Sequence, residues 1–179
     1  AARNDRDQKK FSQAIPKYEK FLTDFPTHKL ADTARIERDL SQIDKTLTGG
    51  AGADLNSSIE AIRSFVESHR SREDFRDWYP LLATYSRRVS LEGYRQASRK
   101  HDPEFVKLGD EGRQLFGRFK ANDGSDAAEE QEIAQGRRNA LADLLEFDVK
   151  QKSLAELDRA LNDQNSAEAF QIFRNAVNR

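Results

Sequence analysis

Three imidazoles, His28, His69 and His101, are the side chains whose ordinary pKa lies closest to neutral pH, and they are the natural place to look for chemistry. His28 and His69 fall near the ends of equivalent helical stretches, close to a corner. Beyond acids expected by chance, no second His or carboxylate lies three or four residues from either, the spacing that puts two ligands on one helical face. All three are therefore expected as surface residues, and no metal site is expected. The chain has no Cys, which excludes disulfides, zinc–thiolate sites and thiol nucleophiles. The run Gly49-Gly50-Ala51-Gly52 lacks the Lys-Ser/Thr that a phosphate-cradling loop requires, and reads as a linker. With 31 acidic residues, some fall near one another in any fold, so spacing singles out no catalytic carboxylate pair. The expectation is a chain with no catalytic residue and no cofactor, and not an enzyme.

Recognition chemistry is better represented. Phe75-Arg76-Asp77-Trp78-Tyr79-Pro80 holds the only Trp, and aromatics three residues apart usually pack on a neighbouring helix. The sharper reading is that Tyr79 or Tyr85 lies in a groove and anchors a peptide. Arg87, Arg88, Arg95, Arg99 and Lys100 then form a basic run with Tyr94 inside it. A solvated face balanced by nearby acids is the plainer account, and a docking patch for an acidic partner, or for single-stranded nucleic acid with Tyr94 interleaved, the functional one. Tyr79, Tyr85, Arg87, Arg88, Tyr94 and Arg95 are accordingly the partner-binding candidates. The 30 cations and 31 acids leave a net charge of −1, so a general electrostatic grip on nucleic acid is not expected. No apolar run approaches the roughly 20 residues of a membrane span.

These residues need helices to position them. Apolar residues recur at steps of three and four almost throughout, and nine Gly with four Pro are too few turn residues for a many-stranded β fold, so the expected class is all-α. Hydrophobic residues at 36% against 34% charged imply narrow apolar stripes under a charged surface. Residues 1–8 read as the end of one helix, 13–25 as the next, with a corner at Thr27 and His28. Leu30, Ala31, Ala34, Leu40, Ile43 and Leu47 mark an antiparallel partner. After the Gly-rich break, Ser57 with Glu60 reads as a capping box. Ser71 is a candidate cap for the run from Phe75 to Tyr94, which Pro80 should kink or restart. Asp102-Pro103-Glu104 starts a further helix, within which Gly109 and Gly112 mark a place where another helix packs close. A loop at Ala121-Asn122-Asp123-Gly124-Ser125 precedes helical residues to about 161, with Ser153 and Glu156 either mid-helix or a fresh start. The Asn162-Asp163-Gln164-Asn165 turn leads to a last helix.

One pattern recurs. Phe11, Ala14, Ile15, Tyr18, Phe21, Leu22 and Phe25 form one helical face closed by Pro26. Ala14 lets a neighbour approach, and Tyr18 one turn on supplies bulk. Forty-four residues later Ser58, Ile59, Ile62, Phe65 and Val66 repeat the arrangement, and Ala169, Phe173 and Val177 repeat its small-then-aromatic core. An Ala, an aromatic four residues on and a Pro eight after that resembles the second helix of a tetratricopeptide repeat, whose period is about 34 residues. The longer spacing here is accounted for by an elongated helix and the Gly-rich break. The wording from Phe21 through Thr27 and His28 to Arg35 is similar to bacterial envelope members of that family.

The resemblance implies antiparallel helix pairs stacked as an α-solenoid with an irregular central section, divided at about 1–50, 51–120 and 121–179 within one continuous domain. It implies a non-catalytic scaffold for a protein or peptide partner, in the periplasm or cell envelope of a bacterium. Two other readings stand beside it: a helical ligand-binding or sensor module using the basic face at 87–100, or a helical appendage of a larger envelope enzyme. The chain holds no Met and opens in a charged helical pattern, so it is read as a piece of a longer protein that begins part-way through a repeat. Phe170, Phe173 and Val177 form an apolar stripe expected either to fold back on Leu154, Leu157 and Leu161 or to support weak self-association through the C-terminal helix.

Overall fold

Apolar side chains on a three- and four-residue period make helices throughout, and the structure, a computed structural model, is all-helical. It describes residues 1–48, 52–121, 123–162 and 166–177. Among these the helices are α1 (Ala2–Asp7), α2 (Phe11–Asp24), α3 (Ala31–Leu47), α4 (Leu55–His69), α5 (Tyr79–Lys100), α6 (Glu104–Phe119), α7 (Ala127–Asn162) and α8 (Ser166–Val177). Residues 49–51 of the expected linker, Asn122 of the expected loop and residues 163–165 of the expected turn lie outside the described residues. No described helix is long and apolar enough to cross a membrane.

Local chemistry explains the boundaries, and it moves several of them. The second helix starts at Phe11, not Gln13. The expected Ser57–Glu60 capping box does not form: Asp54 caps α4, with the Ser57 N–H donating to its Oδ1 at 3.1 Å and the Ser57 hydroxyl to its Oδ2 at 2.7 Å. The two Asp54 carboxylate oxygens take both Ser57 donors, which leaves Ser57 no cap of its own to make. Ser71 caps no helix either. A 3₁₀ turn, Phe75–Trp78, comes first, and α5 restarts at Tyr79 with Pro80 in its first turn, where a missing N–H costs nothing. Asp102 accepts the Glu104 N–H at 2.9 Å, fixing the start of α6. Ser153 lies mid-helix, since α7 runs unbroken for 36 residues.

The main core runs from Ile36 on α3 through α4, α5 and α6 to Ala140 on α7. A smaller cluster of Ala14, Tyr18 and Ala34 joins α2 to α3, with Ala2 of α1 against it. Ser58 and Ile62 on α4 are buried like Ala14 and Tyr18, so the first recurrence points the same positions inward. The last one does not. In α8 Ala169 is buried, but Phe173 and its neighbour Phe170 are exposed, as are Leu154 and Leu161 on α7. The fold-back onto α7 turns Ala169 and half-buried Ile172 toward half-buried Leu157 and buried Ala160, leaving the aromatic rings outside. Nothing is described of the Val177 side chain. His69 also departs from expectation: it is buried, its Nε2 2.9 Å from Asp39 Oδ2, joining the end of α4 to α3. Its neighbour one turn back, Phe65, covers the ring and explains the burial.

The closest approach between helices is α5 on α6. Ser86, Ser90, Gly93 and Ala97 form a small-residue stripe on α5 against Gly109 and Gly112. A Cβ built on Gly93 would stand 2.6 Å from the Gly109 nitrogen, and one on Gly112 2.6 Å from the Ser90 nitrogen, distances that backbone cannot tolerate. At this separation the Ser90 hydroxyl donates to the Gly109 carbonyl at 2.8 Å. Gly112→Ala should therefore cost about 1–3 kcal/mol by overpacking. Gly117→Ala, on the same helix with open space at its Cβ, should instead gain about 0.5–1 kcal/mol from a stiffer unfolded chain and better helix propensity. Denaturant unfolding of the two variants checks this opposite-sign pair.

Candidate functional site

Helix α5 is packed by α6 along its small-residue stripe, by α7 beside that and by α4 and α3 on the core side, and hollows open along the borders between these contacts. The first hollow, about 730 Å³, lies between the first turn of α5, the end of α6 and the start of α7. Tyr79, Pro80 and Phe119 give it an aromatic and apolar wall. The Tyr79 ring meets Phe119 edge-on at 5.4 Å and Phe75 at 5.7 Å, which holds it half-buried with one side open. Arg76, Arg87 and Lys120 stand around it, with Asp126 and Glu129 opposite.

A second hollow of about 740 Å³ runs between α5 and α7, past Leu91, Arg95, Arg99 and Asn139. A third, about 300 Å³, opens beside Leu47 and Ala53 and is lined by Arg87, Arg88 and Arg95. Arg87 lines the first and third, while Leu91, Arg95 and Glu132 line the second and third, so the three form one interrupted groove along α5.

The cations along this groove are mostly held. The Arg87 Nε donates to Glu132 Oε2 at 2.9 Å, tying α5 to α7. Arg99 pairs with Glu92 at 2.6 Å and Arg95 approaches it at 3.8 Å. Arg88 donates to the Leu47 carbonyl at 3.4 Å, and Lys120 pairs with Glu130 at 2.5 Å. Arg76 is exposed and makes no ion pair among the described residues. Arg87, Arg95 and Arg99 of the basic run are thus balanced by acids and Arg88 by a carbonyl, while Arg76 stands beside the aromatic wall without an ion pair among the described residues.

Of the six candidates, the structure brings Tyr79, Arg87, Arg88, Tyr94 and Arg95 to the groove, Tyr94 as a buried residue that lines the second hollow with Leu91 and Arg95. Burial removes Tyr85 and Tyr94 as anchors. Tyr85 is 3% exposed and Tyr94 1% exposed, so neither ring can reach a partner in this fold. Tyr85 points to the opposite side, toward Asp44 and Arg6, and burial followed by the Asp44 charge pushes its pKa up. Tyr94 donates from its hydroxyl to Asp110 Oδ1 at 2.8 Å, and Arg137 of α7 clamps the same carboxylate at 2.8 and 3.1 Å. Burial and then this hydrogen bond push the Tyr94 phenol up to about 12. Sequence reasoning passed over Phe119, Lys120 and Glu132, whose placement depends on how α6 and α7 cross α5. The only signal was for Arg76, three residues before Tyr79 and so within reach of the same face.

His28 and His101 are held by local contacts. His28 Nδ1 accepts the Leu30 N–H at 3.1 Å, and His101, in a left-handed helix end with φ 52°, stacks on Phe147 at 4.0 Å. No group of three or more His, Asp or Glu among the described residues is arranged to hold a metal ion.

The Tyr94–Asp110–Arg137 clamp joins α5, α6 and α7. Burial alone would raise the Asp110 pKa, but the hydrogen bonds from Arg137 and Tyr94 outweigh it, and the net direction is downward. A depressed folded-state pKa means stability that is present above the ordinary carboxylate value and lost as pH falls through the folded one. Asp110→Asn should therefore cost about 1 kcal/mol at pH 7, the clamp being partly solvent-exposed, and the difference from wild type should shrink below about pH 4. Urea unfolding at the two pH values measures it.

Comparison of the chain with family models, with curated proteins and with solved structures returned no match.

Proposed function

We propose that the chain is a non-catalytic scaffold that holds a segment of another protein in the groove along α5. The observation that carries this reading is the first hollow: the open side of the Tyr79 ring, held from behind by buried Phe119, next to Arg76, a cation without an ion pair among the described residues. That combination suits a partner segment with an aromatic or large aliphatic residue beside an acidic one. The ring supplies rigid apolar contact at small entropic cost, and the cation fixes orientation. The further hollows past Arg88 and Arg95 extend the track for several more residues of such a segment.

The repeat pattern supports the same reading. Ala14 with Tyr18 and Ser58 with Ile62 are buried at positions 44 residues apart, as stacked helix pairs of a tetratricopeptide-like solenoid require of their inward positions. On this reading the envelope-like wording between Phe21 and Arg35 puts the partner in a bacterial cell envelope, and the groove does not serve nucleic acid. The small-ligand or sensor alternative gains less, because Arg95 and Arg99 are already engaged by Glu92 and leave little free charge for a compact anion.

Selection of a displayed random-peptide library on the full chain, followed by fluorescence anisotropy with the best peptide, tests the proposal. Enriched peptides should carry an aromatic or large aliphatic residue next to Asp or Glu. Tyr79→Ala should weaken binding about 30-fold or more, and Arg76→Glu about tenfold, each tenfold being about 1.4 kcal/mol. Circular dichroism melting of both variants shows whether the fold is kept. Failure to enrich any peptide, or binding indifferent to both changes in folded variants, contradicts the proposal.

A further inference from the structure

The second half of α7 and all of α8 form an antiparallel hairpin, since α8 packs on α7 and the two are separated by only three residues. Inside it lie buried Ala160 and Ala169, with Ser153, Leu157 and Ile172 half-buried. On α8 and on the last twelve residues of α7, which the twelve residues of α8 can cover, four large apolar side chains stay outside: Leu154 at 53% exposed, Leu161 at 57%, Phe170 at 62% and Phe173 at 55%.

Their positions are not scattered. At 100° per residue, Leu154 and Leu161 lie nearly in line, about a quarter turn past the Ser153–Leu157–Ala160 face in the direction of helix advance. Phe170 and Phe173 lie past the Ala169–Ile172 face in the same rotational sense. In an antiparallel pair, equal rotation from the contact faces brings both sets to the same side. The hairpin therefore presents one apolar face built from two helices. Asp158 stands at the outer edge of that face on α7 and Arg174 at the outer edge on α8. Both are exposed, and neither makes an ion pair among the described residues.

We propose that this face binds a second copy of the chain, hairpin against hairpin, about a two-fold axis parallel to the helices. That axis lays α7 of one copy over α8 of the other and buries the four apolar side chains of each. It also brings Asp158 of each copy to the edge where the other copy carries Arg174, giving two symmetric ion pairs. An isologous contact requires this self-complementarity.

The size fits a weak dimer. Twelve residues of α8 make the face about 18 Å long, and two helices make it about 20 Å wide. Allowing for surface relief, this hides on the order of 600 Å² per copy and about 1200 Å² in all, the lower end for specific interfaces. The inference stands apart from the α5 groove, which the hairpin face does not include.

Sedimentation equilibrium of the full chain tests it. Wild type should dimerise reversibly with concentration. Phe173→Asp and Leu161→Asp should each give monomer with helical content and melting unchanged, because those side chains are already more than half exposed. Asp158→Arg and Arg174→Glu should each weaken the dimer about tenfold, and the double exchange should restore it to within about threefold of wild type. A wild type that stays monomeric to about 1 mM, a Kd limit of about −4 kcal/mol, would overturn the proposal. So would a dimer that survives both apolar changes, or a double exchange no better than the single ones.

Discussion

Two helices can come this close only where the residues at the crossing carry a small side chain or none, and α5 and α6 meet on glycine and serine. Gly93 faces Gly109, and Gly112 faces the backbone of Ser90. Everything that borders the groove follows from that approach. Ser90 reaches the Gly109 carbonyl, fixing the register of α6 along α5. That register sets Asp110 under the Tyr94 hydroxyl, where Arg137 can clamp it and locate α7. With α6 and α7 both placed, Phe119 arrives beside Tyr79 and Glu132 beside Arg87. A methyl group at Gly93 or Gly112 would move α6 outward and disturb each of these contacts in turn.

Charge does a different job at the two ends of the molecule. At the amino-terminal end, Arg3 and the Tyr18 hydroxyl both bind the Glu37 carboxylate, and Lys17 reaches Asp5 at 2.5 Å. Burial, and then Glu37 itself, pushes the Tyr18 pKa up. Glu37 would be raised by burial, yet its hydrogen bonds from Arg3 and Tyr18 bring it below the usual carboxylate value. These partly buried links fasten α1 and α2 to α3, where the apolar cluster is only three buried residues deep. Toward the carboxyl end the ion pairs of α7, Lys150 with Glu146 and Lys152 with Asp148, join neighbours on one exposed helix and add little to stability.

Much of this was legible in the sequence because it is local. Three- and four-residue spacing gives the helical class, Asp102-Pro103-Glu104 marks the start of α6, and two glycines in a helical stripe announce a close neighbour. What the sequence did not reveal is which neighbour, because Gly93, Ser86 and Ser90 lie about twenty residues earlier in the chain and look like ordinary polar helix positions. The same limit hid the fate of the tyrosines. Helix α5 is contacted from several sides, so periodicity alone does not say that Tyr85 and Tyr94 face inward while Tyr79 stays half-open. His69 looked like a surface corner because its partner, Asp39, is thirty residues away. Phe173 looked like a repeat core residue because Ala169 four positions before it has the right size, and only the packing of α8 on α7 decides which of the two faces in.

The dependence of the whole arrangement on the α5–α6 seam is open to amide hydrogen exchange on the full chain, followed helix by helix. If the seam is the last structure to open, amides at 86–97 and 106–116 should exchange only through global unfolding, and those of α8 at least about a hundredfold faster through local opening. Exchange of the seam amides as fast as those of α8 would contradict the account.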